Sequence, residues 1–450
     1  MTRYSLVLLA LLLTSSAFAQ ETSFVIYHTS DIHGGLADRP ARWHKQTPNR
    51  RIGGFAALSA LVKKETLPYL LLDSGDIFQG TPEGNLTKGR AVVEAMNASG
   101  YHAMAVGNHE YDYGEDNLIE LSKLAKFPFL GANIRRKKGN KRVKYAGSRR
   151  IFQVGKLKVG VIGIATRHTR TSTLPKNVAH LIFENEAQVT RTHALALRKK
   201  GADVIVVLAH CGLSPSHARK RIKLEEFKLN AKDKAYVGDL AIARGAPVDM
   251  VLGGHMHTGL SAPWRDPESG VFIVQSFENL SSTSRIVVTV NPKANPKLKV
   301  EGRLVDLWLD ETGQDESVAK IVKRHQDQVG KRLNKKVGVV KGDMIRDGHP
   351  FDNPLGNWMT DVMRMSVSAD IGVQNTYGIR DDLRAGDITL RDIYRVMPFE
   401  NTIVVVTLKG RQVKQLVRDN IRGDKSGIQI SGLTVHLRFT PGTLKIEQLW

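Results

Sequence analysis

The chain has 450 residues, one cysteine, and 66 Lys and Arg against 44 Asp and Glu, which gives a formal net charge of +22. This length allows roughly two or three domains with cores of their own, and the single Cys211 excludes an intramolecular disulfide. The positive balance favours anionic partners such as phosphate esters, nucleic acid or a lipid surface.

The first segment predicts export. Arg3 precedes an apolar run over residues 5–13, and "AFA" follows at 17–19. A basic start, an apolar run too short to span a bilayer and a small-x-small site are typical of a secretory signal. We therefore predict a signal peptide over residues 1–19 and a periplasmic or secreted mature protein, with an uncleaved anchor as the alternative.

Apolar runs that predict strands alternate with helix-like segments from residue 24 to about residue 290. Several runs are continuous rather than alternating, as expected of strands that are buried on both faces beneath helices. The strand candidates are "FVIY" (24–27), "YLLLD" (69–73), "AMAV" (103–106), "FPFLGAN" (127–133), "KVGVIGIA" (158–165), "DVIVVLAH" (203–210), "DMVLGG" (249–254), "VFIVQS" (271–276) and "RIVVTV" (285–290).

The rest of the chain predicts a linker and a second α/β block. Residues 311–333 are charged and free of proline, which predicts a linking helix. From about residue 335, "NWMTDVMRMS" predicts a helix and "TIVVVTLKG" a strand. The basic cluster "RRKKGNKRVK" (135–144) contains no aromatic residue, so we interpret it as an exposed loop rather than a nucleic-acid surface.

Five polar clusters follow five of the predicted strands. Strand ends share one edge of an α/β sheet, where ligands bind, and carboxylate, imidazole and amide groups without thiolate suit ions such as Mn²⁺, Zn²⁺, Fe²⁺ or Co²⁺. Taken alone, the paired histidines of "GGHMHTGL" (253–260) could equally be solvated side chains in a turn. The clusters are "SDIHG" (30–34), "SGDIFQG" (74–80), "VGNHEYD" (106–112), "LAHCG" (208–212) and "GGHMH" (253–257).

In this order, the five clusters resemble the signature of calcineurin-like metallophosphoesterases. Together with the C-terminal block, the chain is similar to the bacterial 5′-nucleotidase/UDP-sugar hydrolase family. The resemblance implies a calcineurin-like α/β fold, a β-sandwich flanked by helices, with a second, smaller α/β substrate-binding domain. We predict a catalytic domain over 20–300, a linker helix over 301–334 and a C-terminal domain over 335–450. We expect this last domain to be shortened, because the Gly-Gly-Asp-Gly loop of the family does not occur in it.

The resemblance also implies a site for two divalent metal ions, Mn, Zn, Fe or Co. The implied ligands are Asp31, His33 and His257 for the first ion, Asp76 as the bridge, and Asn108, His210 and His255 for the second. Many nucleotidases of the family have Gln or Asn in place of His257, so the metal preference stays open. His109 would donate a proton to the phosphoryl or leaving oxygen, with Asp112 orienting its ring; a packed loop residue is the alternative.

Two C-terminal loops resemble the substrate-binding loops of the family. "NTYGIR" (375–380) is similar to Asn-x-Gly-Gly-Ile-Arg, and "MPFEN" (397–401) to Pro-Phe-Gly-Asn. By this resemblance the residues that contact the nucleoside and phosphate are Asn375, Arg380, Phe399 and Asn401. Phe399 as a core residue is the alternative. Tyr377 and Glu400 stand where the family has glycines.

The expected function is that of an exported metallophosphoesterase which hydrolyses nucleotide phosphate esters by attack of a metal-bridging hydroxide. UDP-sugar hydrolase and 2′,3′-cyclic phosphodiesterase activities stay open, as does the oligomeric state. A thiosulfohydrolase-like dimanganese enzyme and a non-catalytic nucleotide-binding relative are the alternatives. Retention of all seven ligand positions and of Asp112 argues against both. We expect no specific nucleic-acid partner, while the net charge is compatible with electrostatic association with an anionic membrane surface.

Overall fold

The computed structural model describes residues 21–236, 238–346, 351–399, 401–422, 425–440 and 443–449. The predicted signal peptide and Glu400 lie outside the described residues. Within those ranges, no helix combines the length and the apolar character that crossing a bilayer requires.

Two six-stranded sheets form the larger part of the molecule. The first contains, in spatial order, Leu298–Asp306, Ser282–Val290, Thr22–Thr29, Tyr69–Asp73, Ala103–Ala105 and Phe129–Leu130. The second contains Trp264–Arg265, Phe272–Gln275, Met250–Gly253, Val204–His210, Leu157–Ala165 and Arg149–Val154. Within each sheet, the central strands run parallel to one another.

The strand Thr22–Thr29 shows how the sequence produces a sandwich. Phe24 and Ile26 belong to the core between the two sheets, while Val25 and Tyr27 belong to the core beneath the helices. Because successive side chains of a strand point to opposite faces, a strand covered on both faces is apolar at nearly every position. The continuous apolar runs in the sequence are the result.

Helices cover the outer face of each sheet. Those packed on the first sheet include Phe55–Val62, Arg90–Ser99, Gly114–Leu124 and Glu316–Leu333; Glu186–Lys199 and Asp239–Gly245 pack on the second. The shorter helices of this part are Pro82–Leu86, Thr169–Ser172, Pro175–Val178, Ala231–Ala235 and Leu309–Thr312. The predicted β-sandwich flanked by helices is confirmed.

The helix Glu316–Leu333 lies within the segment predicted as a linker. Its N-cap Asp315 accepts a hydrogen bond from the backbone of Ser317 and another, of 2.6 Å, from Oγ of Ser59. Val318 and Val322 join the core beneath the helices of the first sheet. This helix therefore packs on the sandwich rather than spanning solvent.

The C-terminal part forms a smaller α/β unit. Its helices are Pro354–Ser366, Leu390–Val396 and Gly410–Asn420, and its paired strands are Lys336–Val340 with Gly386–Thr389, Gly372–Asn375 with Ile428–Ser431, and Val435–Thr440 with Thr443–Leu449. In the same unit, Ile421–Arg422 pairs with Lys425–Ser426.

The larger part of the molecule also contains short strand pairs. They are Arg39–Pro40 with Arg51–Ile52, Ile134–Arg136 with Leu181–Phe183, and Arg221–Ile222 with Gly259–Leu260.

The predicted strand "TIVVVTLKG" (402–410) is wrong. Residues 401–409 adopt no regular secondary structure, and Val404 and Val406 are exposed. A strand needs a neighbouring strand to satisfy its backbone N–H and C=O groups. No strand in the described part of the chain pairs with this segment. Its apolar pattern alone does not supply that neighbour.

Candidate active site

The candidate active site lies at the carboxyl edge shared by the two sheets. Asp31 and His33 follow the strand Thr22–Thr29, Asp76 follows Tyr69–Asp73, Asn108 follows Ala103–Ala105, His210 ends Val204–His210, and His255 and His257 follow Met250–Gly253. Parallel strands present their carboxyl ends at one edge, and packing the two sheets face to face brings the two edges together. Side chains distant in sequence therefore converge.

One group of converging side chains consists of Asp31, His33 and His257. One ligand atom from each lies within 4.8 Å of the others. The Nε2 atoms of His33 and His257 are 2.9 Å apart, and Nε2 of His257 is 3.6 Å from Oδ1 of Asp31. All three side chains are buried, so a cation held here would be largely shielded from solvent.

A second group consists of Asp76, His210 and His255, again with ligand atoms within 4.8 Å of one another. Nε2 of His210 is 2.9 Å from Oδ2 of Asp76. Beside this group, the buried Oδ1 of Asn108 has no hydrogen-bond partner among the described residues. A buried polar atom left unpaired is destabilising by about 1–3 kcal/mol, which a cation at this position would offset.

The ring orientations of three of these histidines fit metal ligands. Each Nδ1 faces an acceptor: the carbonyl of Gln79 for His33 (2.5 Å), the carbonyl of Ser74 for His210 (2.7 Å), and the carboxylate of Glu278 for His257. An Nδ1 that donates leaves the Nε2 lone pair directed into the site. The facing Nε2 atoms of His33 and His257 repel each other unless a proton or a cation lies between them. The donor set therefore fits a bound metal.

The charge states of His33 and His255 also suit metal coordination. Burial lowers the pKa of both His33 and His255 well below the ordinary value, and the neighbouring histidines lower it further. Both rings are thus neutral near pH 7, the form in which imidazole coordinates a metal ion.

Backbone strain is concentrated at the same residues. Five of them have left-handed φ angles: Asp31 (51°), His33 (47°), Asp76 (60°), His255 (75°) and His257 (53°). This conformation costs about 1–3 kcal/mol for a non-glycine residue and persists only where the surrounding structure enforces it. The strand-end loops are therefore shaped to direct these side chains inward.

Glu110 fixes the loops that carry Asp76 and Asn108. Its buried carboxylate accepts hydrogen bonds from the backbone N–H groups of Asp76 (3.0 Å), Ile77 (2.9 Å) and Gly107 (2.6 Å). A Cβ atom on Gly107 would collide with Oδ1 of Asp76, so only glycine fits there. The motif "VGNHEYD" thus contains structural residues as well as reactive ones.

His109 and Asp112 form a hydrogen-bonded pair next to Asp76. Nδ1 of His109 is 2.6 Å from Oδ2 of Asp112, and its Nε2 is 4.0 Å from Oδ2 of Asp76. Burial lowers the pKa of His109, but Asp112 and Asp76 together outweigh it, and the pKa rises to about 9. The imidazolium can therefore donate a proton from Nε2 near pH 7.

The C-terminal unit contributes Arg380 and Phe399 to the site. The ring of Phe399 stacks on His109 with centroids 5.9 Å apart, and the guanidinium of Arg380 lies 5.6 Å from the same ring. The carbonyl of Pro398 accepts a hydrogen bond from Nε2 of Gln79 at 2.8 Å, which joins the loop to the sandwich. Asn375 and Asn401, in contrast, are exposed, and Asn375 bonds to its neighbour Gln374 at 2.7 Å.

The site surrounds a cavity of about 190 Å³. Its lining includes Asp76, Asn108, His109, Ser172, Arg219, His255, Met256, His257, Tyr377 and Arg380. Metal-binding donors, a proton donor and a guanidinium thus face one small space, an arrangement suited to holding a phosphoryl group.

Glu278 and Arg219 are among the site residues that carried no assignment from the sequence. The carboxylate of Glu278 orients the ring of His257. The sequence contained a signal for this residue, because "SFENLS" follows the strand Phe272–Gln275 as the other polar clusters follow their strands. Arg219 lines the cavity from a loop after the strand Val204–His210, where no periodic pattern marks it.

Comparisons with known proteins identify the family of the chain. The family model described as calcineurin-like phosphoesterase matches residues 24–259, and the one described as 5′-nucleotidase, C-terminal domain, matches residues 336–449. A 5′-nucleotidase of Vibrio parahaemolyticus is 29% identical over 86% of this chain and 73% of its own length. Endonuclease YhcR of Bacillus subtilis is 27% identical over 80% of this chain and 29% of its own length.

Solved structures of related proteins have the same fold. A 5′-nucleotidase precursor from Thermus thermophilus superposes with a TM-score of 0.76 at 26% identity, covering 92% of this chain and 82% of that one. The sulfate thiohydrolase SoxB from Thermus thermophilus, at 18% identity and a TM-score of 0.71 over 95% of this chain and 85% of that one, shares the fold. The chain belongs to the calcineurin-like phosphoesterases with a 5′-nucleotidase C-terminal domain, and it is a metal-dependent hydrolase of phosphoric esters.

Proposed function

We propose that this protein is an exported 5′-nucleotidase that uses two divalent cations to hydrolyse nucleotide phosphate esters. The observation that carries the proposal is the pair of ligand clusters on one side of the cavity, with a histidine–aspartate pair and a guanidinium facing the same space. Nucleotidases among the relatives support the substrate class. The signal peptide predicted over residues 1–19 supports export.

Seven side chains would hold the two ions. We assign Asp31, His33 and His257 to the first, Asn108, His210 and His255 to the second, and Asp76 to both. When bound, the cations would acidify the attacking water and offset the negative charge on the phosphoryl oxygens, with Mn²⁺, Zn²⁺, Fe²⁺ and Co²⁺ all compatible with this donor set.

His109 is the proposed proton donor to the oxygen of the leaving group. Its Nε2 lies 4.0 Å from Oδ2 of Asp76. Asp112 accepts a hydrogen bond from the Nδ1–H, which fixes the ring and stabilises its positive charge. Thr173 donates to the other oxygen of Asp112 at 2.9 Å, which holds the carboxylate in place. Such proton transfer contributes roughly 10²–10⁴ to the rate.

Arg380 is the proposed phosphate-binding residue of the C-terminal unit, because its guanidinium can donate two parallel hydrogen bonds to phosphoryl oxygens. The ring of Phe399 is in contact with both Arg380 and His109. Asn375 and Asn401 are exposed and lie outside the cavity lining, and the resemblance of their loops to the family is what supports them as further proposed substrate contacts.

Phosphate release from a panel of esters tests this function. We expect the Mn²⁺-loaded full chain to release phosphate from AMP and UMP; ADP, ATP, UDP-glucose and 2′,3′-cyclic AMP define its range. Asp76→Asn provides a control with the same fold, in which activity should be lost. Absence of phosphate release from every nucleotide in the panel would refute the proposal.

A further inference from the structure

The outer rim of the cavity carries an aromatic residue with no function assigned so far. The lining of the cavity includes Asp76 and Asn108, which are buried. A volume of about 190 Å³ is below the roughly 300–1,000 Å³ of pockets that enclose a drug-sized ligand. It has room for a phosphoryl group, so the remainder of a bound ester must extend toward the rim, where Tyr377 and Arg219 lie.

The ring of Phe399 is already in contact with two side chains in this structure. Its ring is stacked on His109 at an interplanar angle of 27°, and Arg380 packs on it as well. The preceding carbonyl, that of Pro398, is held by the side chain of Gln79. These contacts hold the ring of Phe399 next to the proton donor His109.

Tyr377, in contrast, is directed outward at the mouth of the cavity. It occupies the short 3-10 turn Thr376–Gly378 and is 63% exposed, although it lines the cavity. A large aromatic side chain with this exposure presents a stacking surface to any planar part of a ligand that extends out of the cavity.

Arg219 fixes the position of this ring relative to the metal-binding residues. Its guanidinium carbon lies 5.5 Å from the centroid of the Tyr377 ring, which is cation–π distance. The backbone of Arg219 has a left-handed φ of 57°, and its N–H donates to the carbonyl of Met256 at 2.9 Å, which holds it in place. Met256 stands between His255 and His257 in the chain, so the Tyr377 ring is connected to the metal site by one short path.

We propose that Tyr377, held by Arg219, is the surface on which the base of a bound nucleotide stacks, and this inference rests on the proposed function. Any of the nucleotide bases can stack on an aromatic ring, since every base has a π face. Arg219 is a positioning residue, and its charge also suits a ligand that is anionic overall. Tyr377 thereby sets the preference for nucleotides over esters with small, non-planar leaving groups.

The test compares Tyr377→Ala and Tyr377→Phe in the Mn²⁺-loaded full chain with AMP and with glycerol 2-phosphate, which has no ring. Loss of one stacking partner should raise KM for AMP roughly 5- to 150-fold with kcat unchanged. KM for glycerol 2-phosphate should stay the same, and Tyr377→Phe should behave as wild type. Trp358→Ala removes an exposed aromatic of the same unit (41% exposed) outside the cavity lining and is the matched control.

Calorimetric binding of AMP separates this inference from the proposed function. If wild type binds AMP and Tyr377→Ala weakens that binding, while no phosphate is released, the function is refuted and the stacking surface stands. If phosphate is released but Tyr377→Ala changes neither KM nor the binding of AMP, or changes both esters equally, the stacking inference is overturned. Failure of wild type both to bind and to hydrolyse AMP refutes both.

Discussion

Replacing Glu278 by glutamine should weaken one metal site and spare the other. Of the three histidines whose Nδ1 contacts are described above, His257 alone relies on a side-chain carboxylate, whereas His33 and His210 donate to backbone carbonyls. Loss of a carboxylate behind a ligating histidine typically lowers metal affinity about 10- to 100-fold, which corresponds to about 1.4–2.7 kcal/mol. Glutamine keeps the shape of the side chain, so the change isolates its charge.

Calorimetric titration of metal-stripped protein with Mn²⁺ measures this effect. Wild type should bind two ions, and Glu278→Gln should show one binding step weakened by that factor and one unchanged. Glu268→Gln, an equivalent change at a 62% exposed carboxylate of the same segment, should titrate as wild type. Unchanged affinity of both steps in Glu278→Gln, or equal weakening of both, would contradict the orienting role of Glu278.

Three further outcomes follow from the structure. Asp76→Asn should abolish phosphate release without unfolding the protein; retention of more than about a tenth of kcat, a barrier change of only ~1.4 kcal/mol, would contradict a shared carboxylate. His109→Ala should lower kcat about 10²- to 10⁴-fold with metal content unchanged; an ion missing from elemental analysis would make His109 a ligand. Asp315→Ala should lower the free energy of unfolding by about 0.5–2 kcal/mol, as loss of a helix N-cap does. Burial raises the pKa of Asp315, but Lys63, Ser317 and Ser59 outweigh it and the pKa is lowered. Its contribution should therefore be present above pH ~4 and be lost as the pH falls below that value; a stability difference between wild type and variant that is constant down to pH 2 would contradict this assignment.

The sandwich could be predicted from the sequence because its strands are covered on both faces. Runs such as "DVIVVLAH" (203–210) are continuously apolar, which predicts a strand buried on both faces. The structure forms a strand at Val204–His210. The strand proposed at 402–410 was wrong for a tertiary reason, since β structure depends on a partner strand that an apolar pattern does not specify.

The residues of the candidate site divide in a similar way. Those directly behind strands could be located, because the sheet edge itself determines where they meet. Arg219 and its contact with Tyr377 could not, since this contact joins a loop of the sandwich to a turn of the C-terminal unit. The position of Phe399 against His109 is likewise a consequence of how the two units pack.

Metal stripping and reconstitution tests the central claim most directly. After removal of metal with EDTA and dialysis, the full chain should release no phosphate from AMP. Titration with Mn²⁺ should restore activity in parallel with metal content, reaching a plateau at two ions per chain by elemental analysis. Full activity in metal-free protein, or a plateau at one ion, would contradict a two-metal phosphoesterase.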